Sequence, residues 1–301
     1  MPVRLVASSI SNSDRMEKRS IQGPLSTAGI LTGLLLCFVL QGFVAFRLGW
    51  KTQKTESNYF SSLIRFQAAG GEAPPLTVVG SSITGRLPGR ETGNHEVSNL
   101  GVDGGSARDG ITMLLDGRMH AGAWVIVEVN SIERVVLDPP SSMLKAVGGP
   151  VFAAGVKLPV LSYSARPTGM LYGKLLNRQP AAADAAHVFP LALTEPQPTA
   201  PFADERERQR MDELVTNINK LKQAGSRVLL VEYPSGPMGE KTRALTDRDT
   251  AYVAREAHVP FANLAKQIPR DQLTFSDPVH LNPTSARDVL ASLRSLLSTL
   301  P

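Results

Sequence analysis

Cysteine is almost absent. Cys37 is the only one in 301 residues, so no intramolecular disulfide can form and no metal site can rest on cysteine. It lies in an apolar run and reads as a small buried hydrophobe. Aromatics are scarce at 6%, and no Lys/Arg run reaches the density of a nucleic-acid patch. The chain carries a net charge of +5 and a pI near 9.4. With the charges scattered, that balance reads as solvated surface with some attraction to anionic lipid or polysaccharide, and no nucleic-acid partner is expected. The histidines His95, His120, His187 and His258 show no metal-like spacing, and no metal or cofactor is expected. GSSITG (80–85) is not the G-x-S-x-G elbow, GVDGGS (101–106) is not G-x-G-x-x-G, and no Walker A lysine follows a glycine loop. No internal repeat is visible.

What is present is ordinary globular composition, 42% hydrophobic and 20% charged, plus one long apolar run. Residues 25–46, LSTAGILTGLLLCFVLQGFVAF, contain no charge. As a helix they would span roughly 33 Å, close to a bilayer core. Cations flank both ends (Arg15, Lys18 and Arg19; Arg47, Lys51 and Lys54), so the orientation signal is weak. A secretory signal would carry a shorter core and an A-x-A-like site, which is missing. The expected organisation is a tail over 1–24, a transmembrane anchor over 25–46, a linker or juxtamembrane helix over 47–71, and a globular domain over 72–301. The tail is expected to be disordered and cytoplasmic, with the domain extracytoplasmic, as on the periplasmic side of an inner membrane.

From residue 72 onward strand and helix signals alternate. LTVVG (76–80), WVIVEVN (124–130), RVLLVEYP (227–234) and the weaker VPFANL (259–264) are short, nearly continuous apolar runs. Such strands suit a parallel sheet covered on both faces. In 204–224, Met211, Leu214, Val215, Ile218 and Leu221 share one helical face, and Gly225 is placed as its C-cap. The last helix opens on Asn282 as N-cap and Pro283 at N1, then carries Val289, Leu290, Leu293, Leu296 and Leu297 on one side. This alternation predicts a three-layer α/β/α sandwich with a mainly parallel sheet. The Ala- and Pro-rich stretch 176–203 reads as an excursion between elements.

Sites in open α/β sheets form beyond the carboxyl ends of the strands. Ser81 and Ser82 follow the first strand, and Asn130 ends the second. NLGVDGGS (99–106) is a glycine-rich turn entering a helix, and SDPVHLNP (276–283) precedes the last helix. Ser82, Gly104, Asn130, Asp277 and His280 together hold the parts of a serine acyl-transfer site. A hydroxyl needs a base, the base needs a group that holds its tautomer, and the oxyanion needs donors already in place. The Asp277–His280 spacing allows both to sit on one short loop, with Nδ1 held by the carboxylate and Nε2 facing a serine. Asp103 and Asp109 read as solvated loop acids that could also meet a sugar hydroxyl. Arg86 and Arg90 read as solvated, or as steering an anionic substrate.

Residues 76–295 resemble the SGNH (GDSL-type) hydrolase family. Gly80-Ser81-Ser82 is similar to its first block, Gly-Asp-Ser, with Ser81 in place of the aspartate. Asn99-Leu100-Gly101-Val102-Asp103-Gly104 is similar to the second. The end of WVIVEVNSIE stands for the third, without its glycine and Asn-Asp pair, and Ser131 or Glu133 could fill the space left. Asp277-Pro278-Val279-His280-Leu281-Asn282 matches the last letter for letter. The resemblance implies Ser82 as nucleophile, His280 as base, Asp277 as its orienting acid, and Ser82, Gly104 and Asn130 around the oxyanion. A one-residue slip would exchange Ser81 for Ser82. The resemblance further implies an esterase or O-acyltransferase on a cell-envelope or exported carbohydrate, the transferase with a membrane-embedded acyl-donor partner. Two other readings stand beside it. One is a degenerate domain that binds glycan or scaffolds a complex. The other is a lysophospholipase or thioesterase, which an anchor would place near lipid.

Overall fold

The computed structural model describes residues 24–47, 55–134, 142–176, 185–197, 201–202 and 204–301. Residues 1–23 of the expected tail over 1–24, and 48–54 of the linker over 47–71, lie outside those residues. The chain divides into two compact units, 1–40 and 41–301. The described part of the first unit is helical. It belongs to α1 (Pro24–Arg47), whose stretch Thr27–Arg47 has a mean hydropathy of 2.2 and is long and apolar enough to cross a membrane. Its leucines, valines and phenylalanines are mostly exposed, and so is Cys37, against the burial expected of it. Its neighbours along α1 are exposed as well, so the apolar run does not enclose it.

The second unit is an α/β domain built on five strands: β1 (Leu76–Gly80), β2 (Val97–Gly101), β3 (Trp124–Glu128), β4 (Arg227–Glu232) and β5 (Phe261–Asn263). All pairings are parallel, in the order β2-β1-β3-β4-β5. Helices α2 (Asn58–Ala69), α3 (Ala107–Leu115), α4 (Ser142–Val147), α5 (Pro150–Lys157), α6 (Pro167–Leu176), α7 (Glu205–Gln223), α8 (Glu240–Glu256), α9 (Leu264–Gln267) and α10 (Pro283–Thr299) complete the described elements. Alternate strand residues point to opposite faces, which makes two cores. Val79, Val125, Val127 and Leu230 pack with Leu63 and Phe66 of α2, Ile111 of α3, and Leu214 and Ile218 of α7. Val78, Ile126, Leu229 and Val231 pack with Val289, Leu290 and Leu293 of α10. Helices therefore cover both faces.

The Asn282 cap is as expected, its side chain accepting from Ser285 N at 2.8 Å. The C-cap of α7 is Ala224 and not Gly225, which follows it at φ +96° and takes the left-handed turn out of the helix. Val215, expected on the buried face of α7, packs only partly buried against the core. Strand β2 was not expected, because VSNLG reads as turn sequence. It forms because Ser98 and Asn99 are buried as strand residues, and Asn99 makes side-chain bonds no periodicity can show. Residues 58–69, inside the expected linker, form a helix with Leu63 and Phe66 fully buried. The described part of 176–203 holds the end of α6 and then neither helix nor strand in 185–197. That stretch is docked by Phe189, which is buried and donates its N–H to Ser292 Oγ at 2.8 Å.

Candidate active site

Strand order places the site. The connection leaving β1 leads to β2 on one side and the connection leaving β3 leads to β4 on the other, so the two diverge between the carboxyl ends of β1 and β3. Such a divergence leaves a crevice between adjacent strand ends. Ser82 lies there, half-buried, two residues beyond β1.

The turn that carries Ser82 is a short helical bend. Gly85 N–H donates to Ser81 O (3.0 Å), and Leu87 N–H donates to Thr84 O (2.9 Å). Glu128, the last residue of β3, supports it from below. Its carboxylate accepts from Ser81 N–H (2.8 Å), Ser81 Oγ (2.6 Å), Thr84 N–H (3.0 Å) and Thr84 Oγ1 (2.6 Å). Gly80 makes room for this. A Cβ there would lie 2.2 Å from Thr84 Oγ1 and 2.4 Å from Glu128 Oε2. Asn99 holds the turn from the β2 side, donating to Thr84 O (2.9 Å) and Leu87 O (2.7 Å). Ser81 is thus committed to Glu128, while Ser82 faces His280.

His280 arrives from the loop before α10. That loop is closed by Ser276 N–H to His280 O (2.8 Å), Asn282 N–H to Thr274 O (3.0 Å) and a bridge between Phe275 and Leu281. His280 Nε2 lies 2.8 Å from Ser82 Oγ. Its Nδ1 lies 2.8 Å from Asp277 Oδ2 and 3.0 Å from Oδ1. Asp277 Oδ1 also accepts from the N–H groups of Val279 and His280, both at 2.9 Å. Burial alone would raise the Asp277 pKa. The Val279 N–H, the His280 ring and the His280 N–H outweigh it and hold the carboxyl down at about 2. With Nδ1–H given to the carboxylate, Nε2 presents its lone pair to Ser82, as a general base requires.

Gly104 lies on the neighbouring loop with φ +79°, a left-handed conformation that favours glycine. Among the described residues, the backbone N–H groups of Ser82 and Gly104 have no hydrogen-bond partner. Asn130 is employed elsewhere. Its amide donates to Tyr233 O (2.8 Å) and Ser235 Oγ (3.2 Å), and its Oδ1 accepts from Tyr233 N–H (2.8 Å). It ties the end of β3 to the end of β4.

The loop carrying Gly104 rests on α2. Arg65 is buried, donates to Gly101 O (2.9 Å) and Ser62 Oγ (3.0 Å), and pairs with Asp103 at 3.2 Å. Ser62 Oγ accepts from Asp103 N–H at 3.0 Å. Asp103 is buried, not solvated, because its loop folds over α2, and Asp109 is buried in the first turn of α3. Gly101 lets two backbones touch, since its Cβ would lie 2.4 Å from Gly85 N. Arg90 is spent on the carbonyls of His95, Ala69 and Glu72. Arg86 is half-buried, one turn beyond Ser82.

Sequence reasoning missed Glu128 and Arg65. Glu128 interrupts an otherwise apolar strand, and that interruption was the available signal. Arg65 sits within the apolar run LIRF, its signal being a charge on a buried helical face. His95, His120, His187 and His258 are all exposed, and among the described residues no group of acidic, His or Cys side chains could hold a metal. A cleft of about 540 Å³ lined by Trp124, Arg227 and His258 opens at the opposite, amino end of the strands, away from Ser82. No known protein family, curated protein or solved structure matches the chain.

Proposed function

We propose that this chain is a serine-dependent acyl-transfer enzyme of the SGNH type, acting on an oxygen ester. The observation that carries the reading is the Asp277–His280–Ser82 relay. Two side chains of one loop and a serine 198 residues away form two consecutive 2.8 Å contacts in the order an orienting acid, a base and a nucleophile require.

Ser82 Oγ attacks the acyl carbonyl carbon as its proton passes to His280 Nε2. The carbonyl electron pair moves to the oxygen, which faces the N–H groups of Ser82 and Gly104. Collapse of this tetrahedral species breaks the ester C–O bond. His280 returns the proton to the leaving alkoxide, and the acyl group stays on Ser82. In the second half, water or another hydroxyl gives its proton to His280 and attacks the acyl-Ser82 carbonyl; collapse breaks the acyl C–Oγ bond, and His280 returns the proton to Ser82 Oγ. Asp277 remains ionised throughout and stabilises the transient imidazolium. The chemistry calls for no cofactor.

The apolar helix α1 is long and apolar enough for a single-pass anchor, and the reading puts the domain on the extracytoplasmic side. Together with the SGNH resemblance, that placement favours an acetyl or other short acyl ester of a cell-envelope or exported carbohydrate. Water as acceptor makes the protein an esterase. A sugar hydroxyl makes it an O-acyltransferase, supplied by a membrane-embedded donor.

The test is fluorophosphonate labelling and p-nitrophenyl acetate hydrolysis by the full chain in detergent micelles. Wild type should label at one site, and Ser82→Ala and His280→Ala should lose both signals. Labelling that persists in Ser82→Ala, or a folded wild type that never labels, would overturn the reading.

A further inference from the structure

We infer that Glu128 is the positioning residue of this site, a buried carboxylate that clamps the nucleophile turn so that Ser82 stays aligned with His280. The inference rests on the acyl-transfer reading above and deepens it.

Glu128 is 2% exposed. A carboxylate so placed is costly unless its oxygens are fully engaged. Among the described residues no cation pairs with it, so the cost is offset by four hydrogen bonds instead. All four come from two residues, Ser81 and Thr84, which bracket Ser82 in the chain. None comes from Ser82, whose Oγ meets His280. The carboxylate therefore fixes the backbone before and after the nucleophile and leaves the nucleophile free to react. Charge-assisted bonds to both N–H groups stop the turn from tilting, and that tilt would move Ser82 Oγ and Ser82 N–H together. The first block of the resembled family carries an aspartate where Ser81 stands. Here a carboxylate reaches the same turn from the neighbouring strand, into space that Gly80 leaves open.

The experiment is fluorophosphonate labelling of the full chain in detergent micelles, read as two quantities. The endpoint counts folded sites. The rate constant per labelled site reports alignment and does not depend on how many molecules are folded. Glu128→Gln keeps the clamp: its amide oxygen can take the three donors at Oε2, and its NH2 can donate to Ser81 Oγ. Its rate constant should stay within about fivefold of wild type. Glu128→Leu removes every acceptor. A displacement near 1 Å costs ~10²-fold, so the rate per site should fall by about that factor while the endpoint is retained. An endpoint that falls with the rate per site unchanged would make Glu128 merely structural and overturn the inference. If Glu128→Leu does not fold, Ser81→Ala with Thr84→Val removes the two hydroxyl bonds to Glu128, together with the Ile83 N–H bond to Ser81 Oγ, and keeps both backbone N–H bonds to the carboxylate. A fall of about tenfold per site is then expected, and an unchanged rate overturns the inference. A wild type that does not label at all removes the acyl-transfer reading, and this inference with it.

Discussion

Asp277→Asn separates the role of a charge from the role of a turn. Asp277 Oδ1 accepts from two backbone N–H groups, those of Val279 and His280 at 2.9 Å. An asparagine must put its carbonyl oxygen there, because its NH2 would forfeit both bonds at about 1 kcal/mol each. The NH2 then occupies the Oδ2 position, 2.8 Å from His280 Nδ1. Two donors cannot face each other, so Nδ1 gives up its proton and accepts. The proton moves to Nε2, which lies 2.8 Å from Ser82 Oγ and can no longer take the serine's proton. The fold is kept and the base is lost. The expected fall in acylation rate is ~10³–10⁴-fold, the scale known for the same substitution in a serine protease triad, with a melting temperature within about 2 °C of wild type. The assay is fluorophosphonate acylation per labelled site at neutral pH. A variant that reacts within about threefold of wild type would refute the assignment of Asp277 as the orienting acid.

The depressed pKa of Asp277 adds a pH signature. A carboxyl held lower in the folded state than in the unfolded chain contributes stability above its unfolded value near 4. That contribution is lost as pH falls toward about 2. The difference in stability between wild type and Asp277→Asn should therefore shrink across that window. Asp277 is about half exposed, and solvent screening keeps the effect below about 1 kcal/mol.

Two further substitutions test the scaffold. Arg65→Met leaves the Asp103 carboxylate buried and unpaired, and should cost ~3–5 kcal/mol by denaturant midpoint. Adding Asp103→Asn should recover part of that loss, and a double variant no more stable than Arg65→Met would refute the ion-pair account. Asn130→Ala strands the N–H and C=O of Tyr233 and should cost ~1–3 kcal/mol. Its acylation rate per site should stay within about fivefold of wild type, whereas a fall of ~10²–10³ would make Asn130 an oxyanion donor after all.

The fold class was legible because parallel, doubly covered strands leave a one-dimensional trace. LTVVG, WVIVE and RVLLVE are nearly continuous apolar runs, and the three fall in β1, β3 and β4. The Asn282–Pro283 start of α10 was legible for the same reason, since capping is a matter of residues a few positions apart. Strand β2 was not, because its buried Asn99 is satisfied by side-chain bonds to a turn 12 and 15 residues away. The parts list of the candidate site was also readable. Ser82, Asp277 and His280 each stand after a strand signal or before a helix signal, and the Asp277–His280 contact is local.

Their convergence was decided only by tertiary structure. His280 meets Ser82 across 198 residues, because strand order brings the end of β1 to the loop before α10. The choice between the two serines was likewise three-dimensional. Ser81 and Ser82 are equivalent as letters, and the Glu128 carboxylate takes one hydroxyl and leaves the other to the imidazole. The same holds for Asn130, whose amide is drawn into the β3–β4 junction, and for Arg65, which a linker-like stretch delivers under the loop of Gly104. Local sequence sets which groups are available and which short-range bonds they form. Long-range burial decides which partner each polar group must find, because a polar group removed from water needs one.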